Sequence, residues 1–132
     1  MLLYDASSII NLLKRGVTKV FAEGVTIELA VYEAVNALWK ECYLLKRIKV
    51  ETAQRFLELL KDIFATIDIY SIKGFEEEAF KIALNEGITF YDASYICIAM
   101  KNDLTLVTDD RKLNDVSSKY VRVLSSIQVY KS

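Results

Sequence analysis

The sequence predicts an α/β fold in which helices cover both faces of a mainly parallel sheet. Short apolar runs alternate with segments of three- and four-residue apolar periodicity along the 132 residues. No hairpin signal separates two apolar runs, so successive strands are expected to run parallel. The chain has no proline, and its four glycines fall where a periodic pattern stops. Residues 1–132 are therefore expected to form one domain around one core.

The first half of the chain predicts two strands and three helices. The strands are residues 2–5, which form a short buried run, and residues 25–27. The helices are residues 7–14, 29–47 and 50–64. In the longest of them, Leu38, Cys42 and Leu45 recur at three- and four-residue spacing.

The second half predicts three strands and three helices. Residues 67–70 alternate as in an exposed or edge strand, whereas residues 105–107 are a buried strand and residues 121–124 a further strand. The helices are residues 76–85, residues 92–101 and a short helix after Asp110. This alternation completes the pattern expected of a three-layer α/β/α domain.

Composition excludes some classes of protein and leaves others open. No uncharged apolar stretch reaches the roughly 18 residues of a membrane span, and the first residues do not resemble a signal peptide. A cytoplasmic protein without membrane contact is therefore expected. With 17 basic and 18 acidic side chains the net charge is −1, so a nucleic-acid partner requires a local basic surface.

Four acids in four separate segments are the strongest functional signal: Asp5, Glu33, Asp92 and Asp110. Three of them stand where an apolar segment gives way to a helical pattern, and such junctions gather at the carboxyl edge of a parallel sheet. Two carboxylates about 4 Å apart repel by roughly 4 kcal/mol at an effective dielectric near 20. A hard divalent cation removes that cost, and oxygen ligands favour Mg²⁺ or Mn²⁺.

Each acid also has a structural explanation. Asp5, Asp92 and Asp110 precede helical patterns, where an N-cap carboxylate contributes about 0.5–2 kcal/mol. Glu33 differs because it lies inside an apolar helical segment, where a carboxylate without a partner is costly. It shares one helix face with Asn36 and Lys40, and this polar stripe favours a functional site over capping.

Four short motifs resemble those of the PIN-domain nucleases. They are Asp5-Ala6-Ser7-Ser8 after a terminal strand, Glu33-Ala34-Val35-Asn36-Ala37-Leu38 in a helix, Tyr91-Asp92-Ala93-Ser94-Tyr95, and Leu106-Val107-Thr108-Asp109-Asp110 after a strand. Each motif is weak alone, but their order, spacing and total length are fairly specific. Within the family, the chain looks most like the VapC-type toxins of toxin-antitoxin pairs.

The resemblance implies a set of site residues. The acidic quartet of the family maps to Asp5, Glu33, Asp92 and Asp110, with Asp5 and Asp92 as principal metal ligands. Ser7, Asn36 and Thr108 become polar neighbours of the metal. Asp109 fills the variable position of the Thr-x-Asp pattern, and the doublet leaves open whether it or Asp110 is the fourth acid.

The implied activity is Mg²⁺- or Mn²⁺-dependent hydrolysis of RNA by an endoribonuclease. The absence of histidine fits, since no imidazole pair is present to move protons and an activated water is the natural nucleophile. The implied partners are a VapB-like antitoxin and a second copy of the chain. Apolar faces of residues 29–47 and 56–64 are the candidate contact surfaces.

Substrate contacts are harder to read from the sequence. The basic candidates are Lys14, Arg15, Lys40, Arg111 and Lys112, and the aromatic candidates for base stacking are Tyr4, Tyr32, Tyr91 and Tyr95. Such tyrosines are more often core residues.

Two other functions compete with the nuclease. A phosphoacceptor signalling domain would need a lysine after a late strand, but residues 121–124 lead into Ser125 and Ser126. A non-catalytic interaction module on the same fold would be favoured by loss of an acid, and all four are present.

Overall fold

The computed structural model describes residues 1–131 and arranges five strands in one sheet. The strands are β1 (Leu2–Tyr4), β2 (Val25–Ile27), β3 (Asp68–Tyr70), β4 (Thr105–Val107) and β5 (Val123–Leu124). Their order across the sheet is β3-β2-β1-β4-β5, and every neighbouring pair is parallel. The predicted parallel sheet is confirmed.

Seven helices flank this sheet and complete the predicted three-layer architecture. They are α1 (Ala6–Lys14), α2 (Glu28–Trp39), α3 (Val50–Thr66), α4 (Glu76–Glu86), α5 (Phe90–Lys101), α6 (Arg111–Ser117) and α7 (Ser126–Lys131). A 3₁₀ turn covers Lys19–Glu23, and a π-helical turn covers Lys40–Leu44. No helix in residues 1–131 has both the length and the apolar character needed to cross a membrane.

The central strand β1 marks the point where the strand order reverses. The chain steps from β1 outward to β2 and β3, then returns to place β4 on the other side of β1. Leu3 pairs with Val25 on one side and with Leu106 on the other. In parallel α/β sheets, the crevice at the carboxyl ends of two such strands is where ligands bind.

The core packs tightly around β1. Leu3, Val25 and Leu106 are fully buried, and the Tyr4 ring contacts the Phe21 ring edge-on with 4.9 Å between centroids. At Gly24 a Cβ atom would lie 2.6 Å from the Tyr4 ring, so a larger residue there would displace the ring. The outer strand β3 exposes Asp68 and Ile69, as expected of an edge strand.

Several helix boundaries differ from the sequence prediction, and two of the differences bear on the site. The helix predicted over residues 29–47 is α-helical only to Trp39, after which Leu45 N–H donates to the Lys40 carbonyl at 2.8 Å in a π-helical turn. Helix α5 begins at Phe90 rather than at Asp92, because the Thr89 hydroxyl caps it. The aromatic pair Phe90 and Tyr91 concealed that start, because it resembles the end of an apolar strand.

Helix α7 was not predicted at all. Its six residues are too few to produce a clear periodic pattern. It forms because its first turn is tied to Asp109, which follows β4. This is a long-range contact that no local sequence signal reports.

Candidate active site

Asp5 lies directly after β1, and its side chain is almost fully buried. Its carboxylate accepts hydrogen bonds from Ser8 N–H at 2.9 Å, from the Ser7 hydroxyl at 2.8 Å and from the Thr108 hydroxyl at 2.5 Å. Burial raises the pKa of Asp5, and these hydrogen bonds oppose the rise. Asp5 is the N-cap of α1, as predicted, and it also faces the cavity described below.

Two hydroxyls join the ends of β1 and β4. The Ser7 hydroxyl donates to Asp5 and accepts from Asp109 N–H at 3.0 Å. The Thr108 hydroxyl donates to Asp5 and accepts from Asp110 N–H at 3.1 Å. Each hydroxyl therefore donates to the first acid and accepts from the loop that carries the last, which fixes the two segments relative to each other.

Glu33 projects from α2 and is half-buried. Its Oε1 accepts a hydrogen bond of 2.7 Å from the hydroxyl of Tyr95, a buried residue of α5. Burial raises the pKa of Glu33, and the charges of Asp92, Asp5 and Asp110 raise it further, while the Tyr95 hydrogen bond lowers it. The charges of all three other acids therefore act on the pKa of Glu33.

Asp92 lies in the first turn of α5 and does not cap that helix. The predicted capping role was wrong, because Thr89 accepts from Asp92 N–H at 3.1 Å and takes the N-cap position. No hydrogen bond reaches the Asp92 carboxylate within the described part of the chain. Burial and then the charge of Asp110 raise its pKa, and the charge of Lys112 lowers it. The carboxylate is left available for a ligand.

The Asp109-Asp110 doublet divides between two tasks. Asp110 accepts from Leu113 N–H at 3.0 Å, caps α6 as predicted and lines the same cavity as the other acids. Asp109 does not line that cavity, and its carboxylate accepts hydrogen bonds from Ser126 N–H at 2.8 Å and from the Asn11 amide at 2.7 Å. Burial alone would raise the pKa of Asp109, but hydrogen bonds from the Ser126 hydroxyl, the Ser126 N–H and the Asn11 amide, together with the charge of Arg15, hold the pKa below its usual value. The geometry favours Asp110 as the fourth acid.

The four acids line a single cavity of about 650 Å³, here called the acid cavity. Its wall also contains Ser7, Asn11, Lys14, Lys40, Glu41, Arg47 and Tyr95. Four chain segments thus bring their carboxylates to the crevice beside β1 and β4, as the sequence predicted.

The acid cavity offers carboxylate oxygens, the ligand type that Mg²⁺ and Mn²⁺ prefer. Within residues 1–131, no three acidic or cysteine side chains converge closely enough to enclose a metal ion. Mg²⁺ keeps several waters and binds proteins through one or two carboxylates, so it does not require such an enclosure. Oxygen donors with raised pKa values and mutual repulsion are the appropriate set for such a cation. Asp5 and Asp92, the predicted principal ligands, both line this cavity.

Basic side chains stand on the rim of the acid cavity. Lys14 and Lys40, two of the predicted substrate contacts, line it, and Lys14 forms an ion pair of 2.5 Å with Glu41. Arg47 also lines it and was not anticipated, because its position depends on the π-helical turn that precedes it. Arg15 lies instead in a neighbouring cavity of about 420 Å³, which also contains Lys14.

Other predicted site residues lie further out. Arg111 is exposed and lies outside the described lining of the acid cavity. Asn36, predicted to support Glu33, lines a separate cavity that adjoins the acid cavity at Glu33. Tyr95 was considered only as a core or stacking residue, and its hydrogen bond to Glu33 was missed because the two residues are 62 positions apart.

Comparison with known proteins identifies relatives of this fold and sequence. Residues 3–119 match the family model of the PIN domain. "Exonuclease VapC9" from Pyrobaculum aerophilum is 39% identical over 87 residues, which cover 66% of this chain and 62% of the relative. "Ribonuclease VapC3" from the same organism is 37% identical over 90 residues, covering 67% of this chain and 66% of the relative. The chain thus aligns with slightly less than two thirds of each relative's length.

Solved structures extend the similarity to the whole fold. PAE2754 from Pyrobaculum aerophilum superimposes with a TM-score of 0.80 and 31% identity, covering 97% of this chain and 92% of the other. VapBC from Salmonella typhimurium, solved bound to DNA, gives a TM-score of 0.68 at 13% identity, covering 95% of this chain and 97% of the matched chain. At 13% identity, the match to VapBC shows a similar fold and nothing more.

Proposed function

Since the chain belongs to the PIN-domain family, we propose that it is a Mg²⁺- or Mn²⁺-dependent endoribonuclease and the toxin of a toxin-antitoxin pair. The observation that carries this proposal is the single cavity beside β1 and β4 lined by Asp5, Glu33, Asp92 and Asp110. The names of two relatives, an exonuclease and a ribonuclease, support nucleic-acid hydrolysis.

The residues of the chain would divide the work as follows. Asp5 and Asp92 hold the cation, Glu33 binds it or orients a water, and Asp110 acts at a second position or through water. When bound, the cation lowers the pKa of water and neutralises charge on the phosphate and on the leaving oxygen.

The remaining groups position the substrate and the acids. Ser7 and Thr108 keep the Asp5 carboxylate in one orientation through hydrogen bonds of 2.8 and 2.5 Å. Lys40 and Arg47 on the cavity rim attract the phosphates that flank the cleaved bond. Lys14 joins them once the substrate competes for its contact with Glu41.

A cleavage assay tests the proposal. Purified protein is incubated with labelled linear RNA and with a circular RNA of the same sequence, in Mg²⁺, in Mn²⁺ and in excess EDTA. Metal-dependent cutting of the circle is expected, because only an endonuclease can open it. The products should carry 5′-phosphates, because water attacks in place of the ribose 2′-hydroxyl.

Several results would contradict the proposal. Full activity in EDTA, or a 2′,3′-cyclic phosphate product, would exclude water activated by a metal. Degradation of linear RNA with an intact circle would identify an exonuclease, the activity named for one relative.

The proposed partners are an antitoxin and a second copy of the chain. An apolar groove between α2 and α3 contains Val35, Trp39, Tyr43, Val50 and Leu57 and leaves Trp39 and Tyr43 exposed. Covering it would remove apolar surface from water. Light scattering on the protein alone and after coexpression with a VapB-like antitoxin tests this, and a strict monomer in both cases would contradict it.

A further inference from the structure

A second cavity adjoins the acid cavity and shares Glu33 as part of its wall. It measures about 600 Å³ and lies between α2 and the start of α5. Here it is called the tyrosine cavity, and its lining is Ile27, Glu28, Leu29, Tyr32, Glu33, Asn36, Ile72, Phe90, Tyr91 and Ser94. Most of these side chains are apolar or aromatic, in contrast with the charged lining of the acid cavity.

The structure separates the four candidate stacking tyrosines into two groups. Tyr4 and Tyr95 are buried, and neither lines the tyrosine cavity. Tyr32 and Tyr91 are 76% and 60% exposed, and both line the tyrosine cavity. They come from different helices, α2 and α5, so two aromatic rings meet one cavity from two sides.

The polar groups of the tyrosine cavity leave one unengaged amide. Ser94 donates its hydroxyl to the Phe90 carbonyl at 2.8 Å, and Glu28 accepts from Ile72 N–H at 3.2 Å. The Asn36 side chain makes no hydrogen bond within the described residues, so both its donor and its acceptor are open. An amide of this kind matches the edge of an unpaired base.

From this juxtaposition we infer that the tyrosine cavity binds the base next to the phosphate held at the acid cavity. The inference rests on the proposed ribonuclease function. The base stacks on Tyr32 or Tyr91, and its edge meets the Asn36 amide. A base paired within an RNA duplex cannot enter the tyrosine cavity, so the site selects single-stranded RNA.

The first experiment measures RNA binding without cleavage. Fluorescence anisotropy of a labelled single-stranded RNA is recorded with Asp92→Asn protein, alone and combined with Tyr32→Ala or Tyr91→Ala. Loss of a stacking tyrosine should weaken binding about five- to hundredfold. Tyr130→Ala is the matched control, because Tyr130 is 49% exposed and lines neither the tyrosine cavity, the acid cavity nor the groove between α2 and α3. It should change affinity less than twofold.

The second experiment asks whether the tyrosines act on a base. One abasic nucleotide is moved along the RNA through the positions beside the cleaved phosphate. At one position the abasic substitution should weaken binding as much as Tyr91→Ala, and combining the two should add little. Equal effects of the tyrosine variants on abasic and intact RNA at every position would overturn the inference.

The outcomes separate this inference from the proposed function. Wild-type cleavage of RNA together with unchanged binding by both tyrosine variants would remove the tyrosine cavity as a base site and leave the ribonuclease in place. If instead Tyr91→Ala turned a dimer into a monomer while RNA affinity stayed constant, this face would be a contact between copies, and the inference would be wrong. Single-stranded RNA should also bind more tightly than the same sequence in a duplex, and the reverse order would contradict it.

Discussion

The hydroxyl of Tyr95 donates a hydrogen bond of 2.7 Å to Oε1 of Glu33 and thereby joins α5 to α2 beside the acid cavity. The pKa of Tyr95 is raised, mainly by burial and then by the charge of Glu33. The hydroxyl therefore keeps its proton at neutral pH and donates its hydrogen bond to the Glu33 carboxylate. Glu33 is held in one orientation by a group that takes no charge of its own.

Tyr95→Phe should weaken metal binding without unfolding the protein. The ring remains to fill the core, while Glu33 loses the hydrogen bond that orients it, and loss of such a supporting contact typically costs 10- to 100-fold in metal affinity or activity. Mn²⁺ titration by calorimetry and the cleavage rate at rising Mn²⁺ measure it, and excess metal should restore part of the rate.

Tyr120→Phe is the matched control for that substitution. Tyr120 donates a hydrogen bond of 2.6 Å to Glu86, so it presents the same pair of groups away from the acid cavity. It should leave Mn²⁺ affinity unchanged. Equal Mn²⁺ affinity of Tyr95→Phe and wild type would show that Tyr95 does not position Glu33.

Asp92→Asn should abolish most cleavage and leave the fold intact. Asp92 repels Asp110 and Glu33, and its carboxylate has no hydrogen-bond donor within residues 1–131. Removing its charge therefore reduces the repulsion among the carboxylates of the acid cavity. The loss of a favourable charge at the start of α5 offsets this by about 0.3–1 kcal/mol. The melting temperature without metal should therefore stay level or rise, while the rate falls at least 100-fold.

Asp115→Asn provides the comparison, since Asp115 is exposed on α6 and outside the acid cavity. It should leave cleavage nearly unchanged. Thermal melts and initial rates of both variants, each with and without Mg²⁺, decide the matter. An Asp92→Asn enzyme that cuts RNA at the wild-type rate would remove Asp92 from the metal site.

Metal-free protein should lose stability as the pH rises towards neutrality. The pKa values of Asp5, Glu33 and Asp92 are raised, chiefly by burial, so the folded state holds these protons more tightly than the unfolded state. Between the ordinary and the raised pKa values, the folded state binds more protons, and stability therefore falls with rising pH. Above the raised values the effect is complete.

Thermal melts in EDTA between pH 5 and pH 7.5 measure this slope. Asp92→Asn should make it shallower, and Mg²⁺ should raise the melting temperature most at the higher pH, where the carboxylates are ionised. Below the ordinary carboxyl range stability should fall again as Asp109, whose pKa is lowered, gains a proton. A melting temperature that climbs steadily from pH 5 to pH 7.5 in EDTA would contradict the prediction.

Asp109→Ala and Asp110→Asn should separate stability from catalysis. Asp109 accepts hydrogen bonds from Asn11 and Ser126 that fix α7, so its loss should cost about 1–2 kcal/mol and lower the melting temperature by about 3–10 °C. Asp110→Asn keeps a residue that caps helices well, and should lower cleavage with little change in melting. The opposite pattern would make Asp109 the fourth acid.

The strands were predictable because their signals are local. β2 and β4 occupy the predicted residues, since each is a short apolar run bounded by turn-forming residues or by charge. The start of α5 was misplaced because Phe90 and Tyr91 look like the end of an apolar strand, whereas the hydroxyl of Thr89 begins the helix there.

The parts of the site that escaped prediction depend on contacts between distant residues. Sequence spacing placed the four acids in separate segments, and strand topology brought them to one cavity. The link between Tyr95 and Glu33, the turning of Asp109 towards α7, and the position of Arg47 after a π-helical turn each require the assembled fold. No local pattern encodes them.

The pairing of β1 with β4 makes the order of synthesis matter. Leu2 lies opposite Thr105, so the central strand lacks one neighbour until more than a hundred residues have been translated. The Asp5 carboxylate likewise lacks its hydrogen bond from the Thr108 hydroxyl until Thr108 has been translated. A ribosome-bound chain that ends before Thr105 should therefore show no RNA cleavage, and adding the missing C-terminal segment as a separate chain should restore it. The acid cavity is complete only once Asp110 has been translated, so no shorter nascent chain carries all four acids.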